Sequence, residues 1–251
     1  MTARKSLVDE IRERGVLRVP VEFNPPPEVD GFPPEIYIDP ETNEPSGLAP
    51  IISRILAQDL GVELECVDMP WPEHIPALLE GRVDLLPKHV NTPERALTVE
   101  FCNGRLMEYR VTALVPVASA YTSKGELNQP DKVIAVWHGS SIREIIQREF
   151  PRAAMKEFQK PSKEVDEGRA DACLTDSVTN IFVEKHPGLR FLRDPEGKLV
   201  VFSREYAQLG IKPGDQRFLN WLNNWHQYHE AQGTIGYWCV DYWESFMADK
   251  V

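Results

Sequence analysis

A five-residue pattern occurs twice in the chain, each time where a helical segment meets an apolar run. Glu80-Gly81-Arg82-Val83-Asp84 recurs as Glu167-Gly168-Arg169-Ala170-Asp171. An apolar run that should start a strand follows each copy, residues 85–86 after the first and 172–174 after the second. Glycine suits the end of a helix because it adopts the left-handed conformation at little cost. The shared structural context predicts two related α/β lobes.

Short β-branched runs alternate with segments of helical period, which is typical of a parallel sheet with helices on its faces. Two further apolar runs, 111–117 and 199–203, lie between the repeated units and are the natural crossings of a two-stranded hinge. We therefore expect residues 1–112 with 204–251 to form one lobe and 113–203, including the hinge strands, to form the other. The predicted strands are 16–21, 62–67, 83–86 and 133–136, and the predicted helices are 47–61, 72–80, 142–150 and the segment from 215 onward.

The proline-rich stretch after the first strand is expected to be a folded-back loop, since proline restricts both itself and the residue before it. Its prolines are Pro25, Pro26, Pro27, Pro33, Pro34, Pro40 and Pro45.

Composition excludes several classes of protein. With 39 acidic and 28 basic residues the formal charge is −11, so nucleic acid is not an expected partner. No apolar run reaches the ~20 residues that cross a bilayer, so membrane insertion is not expected. The start of the chain has no apolar signal core, which fits either a cytoplasmic protein or a mature form placed behind a new methionine, and the compartment stays undetermined.

No cofactor or metal is expected. The four cysteines form no C-x-x-C pair and are interpreted as small buried residues. His226, His229 and Glu230 lie on one helical face and could hold a metal, but a solvated helix surface is the preferred interpretation. His74, His138 and His186 show no evident partner.

Several motifs in order resemble the family 3 extracytoplasmic solute-binding proteins, the polar-amino-acid receptors of ABC importers. The resemblance implies the two-lobed, type II periplasmic-binding-protein-like α/β fold, with a mixed, mostly parallel sheet in each lobe and a two-stranded hinge. Its carriers are Gly47, Leu60-Gly61-Val62, Trp71, Ile75-Pro76-Ala77-Leu78, Gly81-Arg82-Val83-Asp84, Thr92-Pro93-Glu94-Arg95, Val99-Glu100-Phe101, Gly139-Ser140-Ser141, Gly168-Arg169-Ala170-Asp171, Asp176, 209–215 and 218–223.

The resemblance implies that Arg95 grips a ligand carboxylate and that Asp176 accepts a ligand ammonium. A guanidinium offers two parallel donors to a carboxylate. Gly139, Ser140 and Ser141 open a helix and could bind an anion there. The alternatives are a surface ion pair of Arg95 with Glu94 or Glu100, capping of the helix by Ser140 or Ser141, and a cap by Asp176 on a helix from Ser177.

Further ligand contacts are expected around the end of the first strand. Glu22 matches an acidic ligand contact in the family. Phe23 and Trp71 would contact the apolar part of a ligand, although Trp71 could equally belong to the core. Asn91 and Thr92 complete the candidate site.

Lys88 and His89 stand where many relatives have small residues. They add positive charge that would suit a second carboxylate or another acidic group.

Three functions stay open, and the resemblance implies the first two. The first is a transporter receptor that binds a small anionic or zwitterionic solute in the cleft between the lobes, closes about its hinge and partners an ABC permease. The second is a lyase resembling cyclohexadienyl dehydratase, in which Lys88, His89 or Glu22 would be the acid or base. A sensory module that feeds no importer is a third interpretation.

Overall fold

The computed structural model describes residues 5–23, 31–32, 36–39, 41–176, 183–184 and 186–241. Its helices are α1 (Leu7–Arg14), α2 (Leu48–Leu60), α3 (His74–Glu80), α4 (Lys124–Leu127), α5 (Ile142–Glu149), α6 (Pro161–Asp166) and α7 (Gln216–Ala231). Its strands are β1 (Val16–Val21), β2 (Gly31–Phe32), β3 (Ile36–Ile38), β4 (Pro45–Ser46), β5 (Glu63–Asp68), β6 (Leu86–Val90), β7 (Glu100–Phe101), β8 (Met107–Pro116), β9 (Val133–Trp137), β10 (Ala154–Phe158), β11 (Ala172–Thr175), β12 (Leu189–Phe191) and β13 (Ser203–Ile211).

The chain divides into two compact units. The first unit is discontinuous and consists of the described residues up to Met107 and those from Tyr206 onward. The second unit is Glu108–Glu205. The chain passes from one unit to the other within β8 and again within β13.

The first unit is built on a parallel pair of strands. β1 runs beside β5 in continuous register, from Val16 opposite Glu63 to Val21 opposite Asp68. β13 pairs antiparallel with both β6 and β7. Because parallel strands end at the same edge, the residues that follow β1 and β5 emerge side by side. That edge carries Glu22 and the segment leading to Trp71.

The second unit repeats this plan. β9 lies between the parallel strands β10 and β11, and β8 continues the sheet antiparallel to β11 and β12. Its core is formed by residues of these strands with Ile142, Ile145 and Ile146 of α5. The predicted α/β class is confirmed.

Two predicted strands were displaced. Residues 83–86 were expected to be a strand, but β6 begins at Leu86 and continues through Lys88 and His89 to Val90. Val83 is buried in the connection after α3, so its apolar character serves the core rather than the sheet. Similarly, β13 starts at Ser203, where the run 199–203 was expected to end.

Of the prolines expected in a loop, Pro45 lies in β4. The others, Pro25 to Pro27, Pro33, Pro34 and Pro40, lie outside the described residues.

The aspartate that ends the repeated pattern joins each helix-to-strand junction to a strand of the parallel part of its unit, β1 in the first unit and β9 in the second. The amide of Asp84 donates to the carbonyl of Arg18, whose own amide donates to Asp84 Oδ2 at 2.8 Å. The amide of Asp171 donates to the carbonyl of Val133, and the Val133 amide donates to Asp171 Oδ2 at 2.9 Å. The repeat therefore marks an equivalent structural bridge in both units.

The histidines of α7 correct one interpretation of the sequence. His226 and His229 are 3% and 9% exposed, so they do not lie on a solvated helix surface. His226 Nε2 is 2.9 Å from the Arg105 carbonyl oxygen, and His229 Nε2 is 2.8 Å from Asp59 Oδ2. Both continue the buried stripe of Phe218, Leu222 and Trp225, whose spacing of three and four residues already pointed inward.

We predict that Asp84→Ala lowers the free energy of unfolding by about 3 kcal/mol. The Asp84 side chain is 1% exposed and contacts the Arg18 amide and the guanidinium groups of Arg14 and Arg18. The substitution removes this buried carboxylate from all three groups. Asp171→Ala is the matched variant and should cost less, since Asp171 is 25% exposed. Urea unfolding of both variants measures the difference, and an equal or reversed order would contradict this account of the bridge.

Candidate functional site

The indole of Trp71 organises the candidate site of the first unit. It lies in a 3₁₀ turn, Trp71–Glu73, directly before α3. One face stacks on His89 of β6, with ring centroids 4.3 Å apart and planes 6° from parallel. His74 of α3 touches both rings, with centroids 4.9 Å from Trp71 and 5.5 Å from His89. The indole is half-buried, so it combines a packed side with an accessible one.

Two cationic side chains share this indole. Lys88 Nζ is 5.8 Å and Arg95 Cζ is 5.9 Å from the Trp71 ring centroid, both within cation–π range. We call Trp71, His74, Lys88, His89 and Arg95 the Trp71 cluster. Its members come from the 3₁₀ turn, α3, β6 and the turn after β6.

The backbone around Arg95 fixes the direction of its side chain. Thr92 Oγ1 accepts from the Arg95 amide at 3.2 Å, which starts the 3₁₀ turn Arg95–Leu97. The guanidinium donates through one nitrogen to the Val90 carbonyl at 3.1 Å, which turns it back toward β6. Asn91, between these residues, is exposed.

Carboxylates border the cluster on the side of β1 and β5. Glu22 Oε2 accepts from the Trp71 amide at 2.7 Å, and Asp68 Oδ1 accepts from the Phe23 amide at 3.1 Å. Burial raises the pKa of Glu22, the Trp71 hydrogen bond opposes that shift, and Asp68 adds to it. Phe23 packs against the core residues Val21, Ile36 and Ala49.

The two histidines of the cluster are neutral at pH 7. Burial is the main cause and lowers the pKa of His74 to about 4. Burial, together with His74, Arg95 and Lys88, lowers the pKa of His89 well below its ordinary value. The positive charge that the sequence suggested at His89 is therefore absent at neutral pH. Neither ring nitrogen of His89 has a hydrogen-bond partner among the described residues.

In the second unit the predicted anion site lies between β9 and α5. Gly139 has a φ of 75°, and its amide donates to Glu157 Oε2 at 3.3 Å. Ser140 Oγ accepts from the Ile142 amide at 3.2 Å, which is the capping arrangement considered as an alternative. Ser141 is half-buried at the helix boundary.

Asp176 directly follows β11 and is half-buried. The helix from Ser177 that it was alternatively expected to cap lies outside the described residues.

The structure brings together residues that the sequence did not connect. His74 was given no partner, yet its ring lies against Trp71 and His89. Its position three residues after Trp71, on a helical segment, was the available signal. His138 also has a partner, since its Nδ1 lies 2.9 Å from Glu157 Oε2.

The described residues hold no group of three or more His, Cys, Asp and Glu side chains that could bind a metal ion. All four cysteines are free, and Cys66 is only half-buried while the other three are buried. No helix in the described part of the chain is long and apolar enough to cross a membrane.

Comparisons with known proteins agree on one family. The model for bacterial extracellular solute-binding proteins, family 3, matches residues 29–239. The ancestral amino acid-binding protein AncCDT-1, a precursor of cyclohexadienyl dehydratase, is 30% identical over 95% of this chain and 100% of its own, with a TM-score of 0.77. The P235GK mutant of ArgBP from T. maritima is 25% identical over 95% and 99%, with a TM-score of 0.78.

A receptor for L-cysteine from Neisseria gonorrhoeae is 22% identical over 98% of this chain and 97% of its own, with a TM-score of 0.81, and shares the fold. No curated protein sequence matches this chain.

We predict that the buried histidines make the protein less stable in acid. Because their folded pKa values are depressed, the unfolded chain binds more protons below a pH of about 6.5, and stability falls as pH decreases from there. Burial lowers the pKa of His74 to about 4. Between about pH 6.5 and pH 4, this residue alone should therefore reduce the free energy of unfolding by about 3 kcal/mol.

The test is the pH dependence of urea unfolding for the wild type and His89→Phe. The variant lacks one of the two groups, so its stability should fall less steeply between about pH 6.5 and 4. The same replacement at His138, a half-exposed ring in the other unit, checks that the effect belongs to the buried imidazole. A variant as acid-sensitive as the wild type would contradict the assignment of His89 as a buried neutral base.

Proposed function

The chain belongs to the family 3 bacterial extracellular solute-binding proteins, and from this premise we propose that it is a receptor for a small carboxylate-bearing solute held by Arg95 and Trp71. Membership of the family makes it a solute-binding protein. The carboxylate, the residues and the transport role are the proposal.

The arrangement of Arg95 carries this proposal. One of its nitrogens is anchored by the Val90 carbonyl, so the plane of the guanidinium is oriented before any ligand arrives. A fixed guanidinium can donate two parallel hydrogen bonds to one carboxylate, and little conformational freedom is lost on binding. The nearby indole excludes water from one side, which strengthens the charged hydrogen bonds.

Trp71 supplies an apolar surface for the body of the solute. Its stacking on His89 holds the indole, and the hydrogen bond from its backbone amide to Glu22 holds the turn that carries it. A rigid aromatic surface beside a few converging polar groups is the usual composition of a small-molecule site.

We also propose solute contacts within the second unit. Ser140 and the amides at the start of α5 suit an anionic group, and Asp176 suits a cationic one. A solute that contacts residues of both units would favour a closed arrangement through its higher affinity for that state. Gly139, Ser141, Asn91, Thr92, Phe23 and Glu22 are proposed as secondary contacts.

The relatives support an amino-acid-like solute. AncCDT-1 is described as an amino acid-binding protein, and an arginine-bound ArgBP from T. maritima is 25% identical to this chain. An ABC permease is the partner that we propose for the loaded receptor.

Arg95→Ala should weaken solute binding by two orders of magnitude or more, because the solute carboxylate would lose a charged partner in a partly dehydrated site, a cost of about 3 kcal/mol. Calorimetry against a panel of amino acids and dicarboxylates measures this. Arg82→Ala removes an exposed arginine of the same unit and should leave the affinity unchanged. Equal affinities of the wild type and Arg95→Ala would exclude Arg95 as the carboxylate ligand.

The lyase alternative stays a prediction. It needs an acid or base among Lys88, His89 and Glu22. Release of an aromatic product on incubation with prephenate or arogenate, lost in Lys88→Ala, would support it.

A further inference from the structure

We infer that the solute carries two anionic groups and that Lys88 binds the second one, which makes Lys88 the residue that sets specificity. This inference rests on the proposed receptor function and names the class of its ligand as dicarboxylates, with or without an amino group. The evidence is the charge and geometry of the Trp71 cluster.

Two cationic side chains lie near the same indole. The distances of Lys88 Nζ and Arg95 Cζ from the Trp71 centroid, 5.8 and 5.9 Å, place both charges next to the surface on which the solute would lie. One carboxylate on the guanidinium leaves the ammonium as a second positive contact within reach of the same small molecule.

The two histidines of the cluster do not add to these charges. Both histidines of the cluster are buried bases held neutral, so they add no charge and cannot replace Lys88 as a cation. Glu22 accepts a hydrogen bond from the Trp71 amide, and burial raises its pKa. The two histidines therefore add no charge to that of the lysine and the arginine.

Lys88 is held in place rather than free to move into solvent. Only 6% of the residue is exposed, on a strand whose five residues are all buried. A long side chain confined in this way loses little further rotamer freedom when it binds a ligand. An ammonium fixed at short range attracts a carboxylate and repels a guanidinium or ammonium, so cationic amino acids should be discriminated against.

The test compares ligands that differ in one charge and little in shape. L-Glutamate and L-glutamine, L-aspartate and L-asparagine, and succinate and succinamate form such pairs, and L-arginine represents the cationic class. Calorimetry on the wild-type protein should show at least about tenfold tighter binding of the dicarboxylate in the best-bound pair, and weaker binding of L-arginine.

Substitution of Lys88 then identifies the group responsible. Lys88→Met keeps the length and apolar character of the side chain, and it should reduce the preference to about twofold or less while the uncharged partner still binds. Lys88→Arg retains a positive charge and should keep the preference. Lys5→Met removes an exposed lysine of the same unit and serves as the control.

The outcomes separate this inference from the receptor function. Tighter binding of L-arginine or of the uncharged partner, or an undiminished preference in Lys88→Met, would overturn the assignment of Lys88 and leave a receptor in place. If wild-type protein bound none of these solutes, the proposed function would fail, and this inference with it.

Discussion

The stack of Trp71 on His89 is the contact on which the candidate site depends. It joins the turn before α3 to the centre of β6, two segments that the fold brings together at one edge of the first unit. The hydrogen bond from the Trp71 amide to Glu22 ties the same turn to the end of β1. Without the stack, the indole would have no fixed relation to Lys88 and Arg95.

The neutrality of the two histidines has a consequence for the cations. A protonated imidazole beneath the indole would repel Lys88 and Arg95, and burial prevents that protonation at neutral pH. His89 therefore supports the indole as an aromatic ring and adds no charge to the site. The unit can then hold a lysine and an arginine near one another at a surface suited to an anion.

Much of the fold could be predicted from the sequence because local signals and tertiary packing agree. β1 is found at its expected residues, and α2 ends at Leu60 and is followed by Gly61, which adopts a φ of 72°. The displaced strand at 83–86 shows where local signals fail. Val83 is buried without belonging to the strand, whereas His89 and Val90 belong to it through their pairing with β13. That pairing joins residues about 120 positions apart, so no local pattern could reveal it.

The site was predicted less completely than the fold. Motif resemblance named Arg95 and Trp71, but it could not show that His89 lies beneath the indole or that His74 joins it, since these contacts depend on how α3 meets β6. The role of the repeated aspartate could also not be predicted from the sequence. Its recurrence pointed correctly to two related units, and its contacts show that it serves their folding.

The most direct test is a crystal structure of the protein purified from its native host without refolding, so that a tightly held solute is retained. We expect an elongated molecule lying against the indole of Trp71, with a carboxylate at the Arg95 guanidinium and a second acidic group beside Lys88 Nζ. A solute bound away from the indole, or one that turns an ammonium or guanidinium toward Lys88, would contradict it.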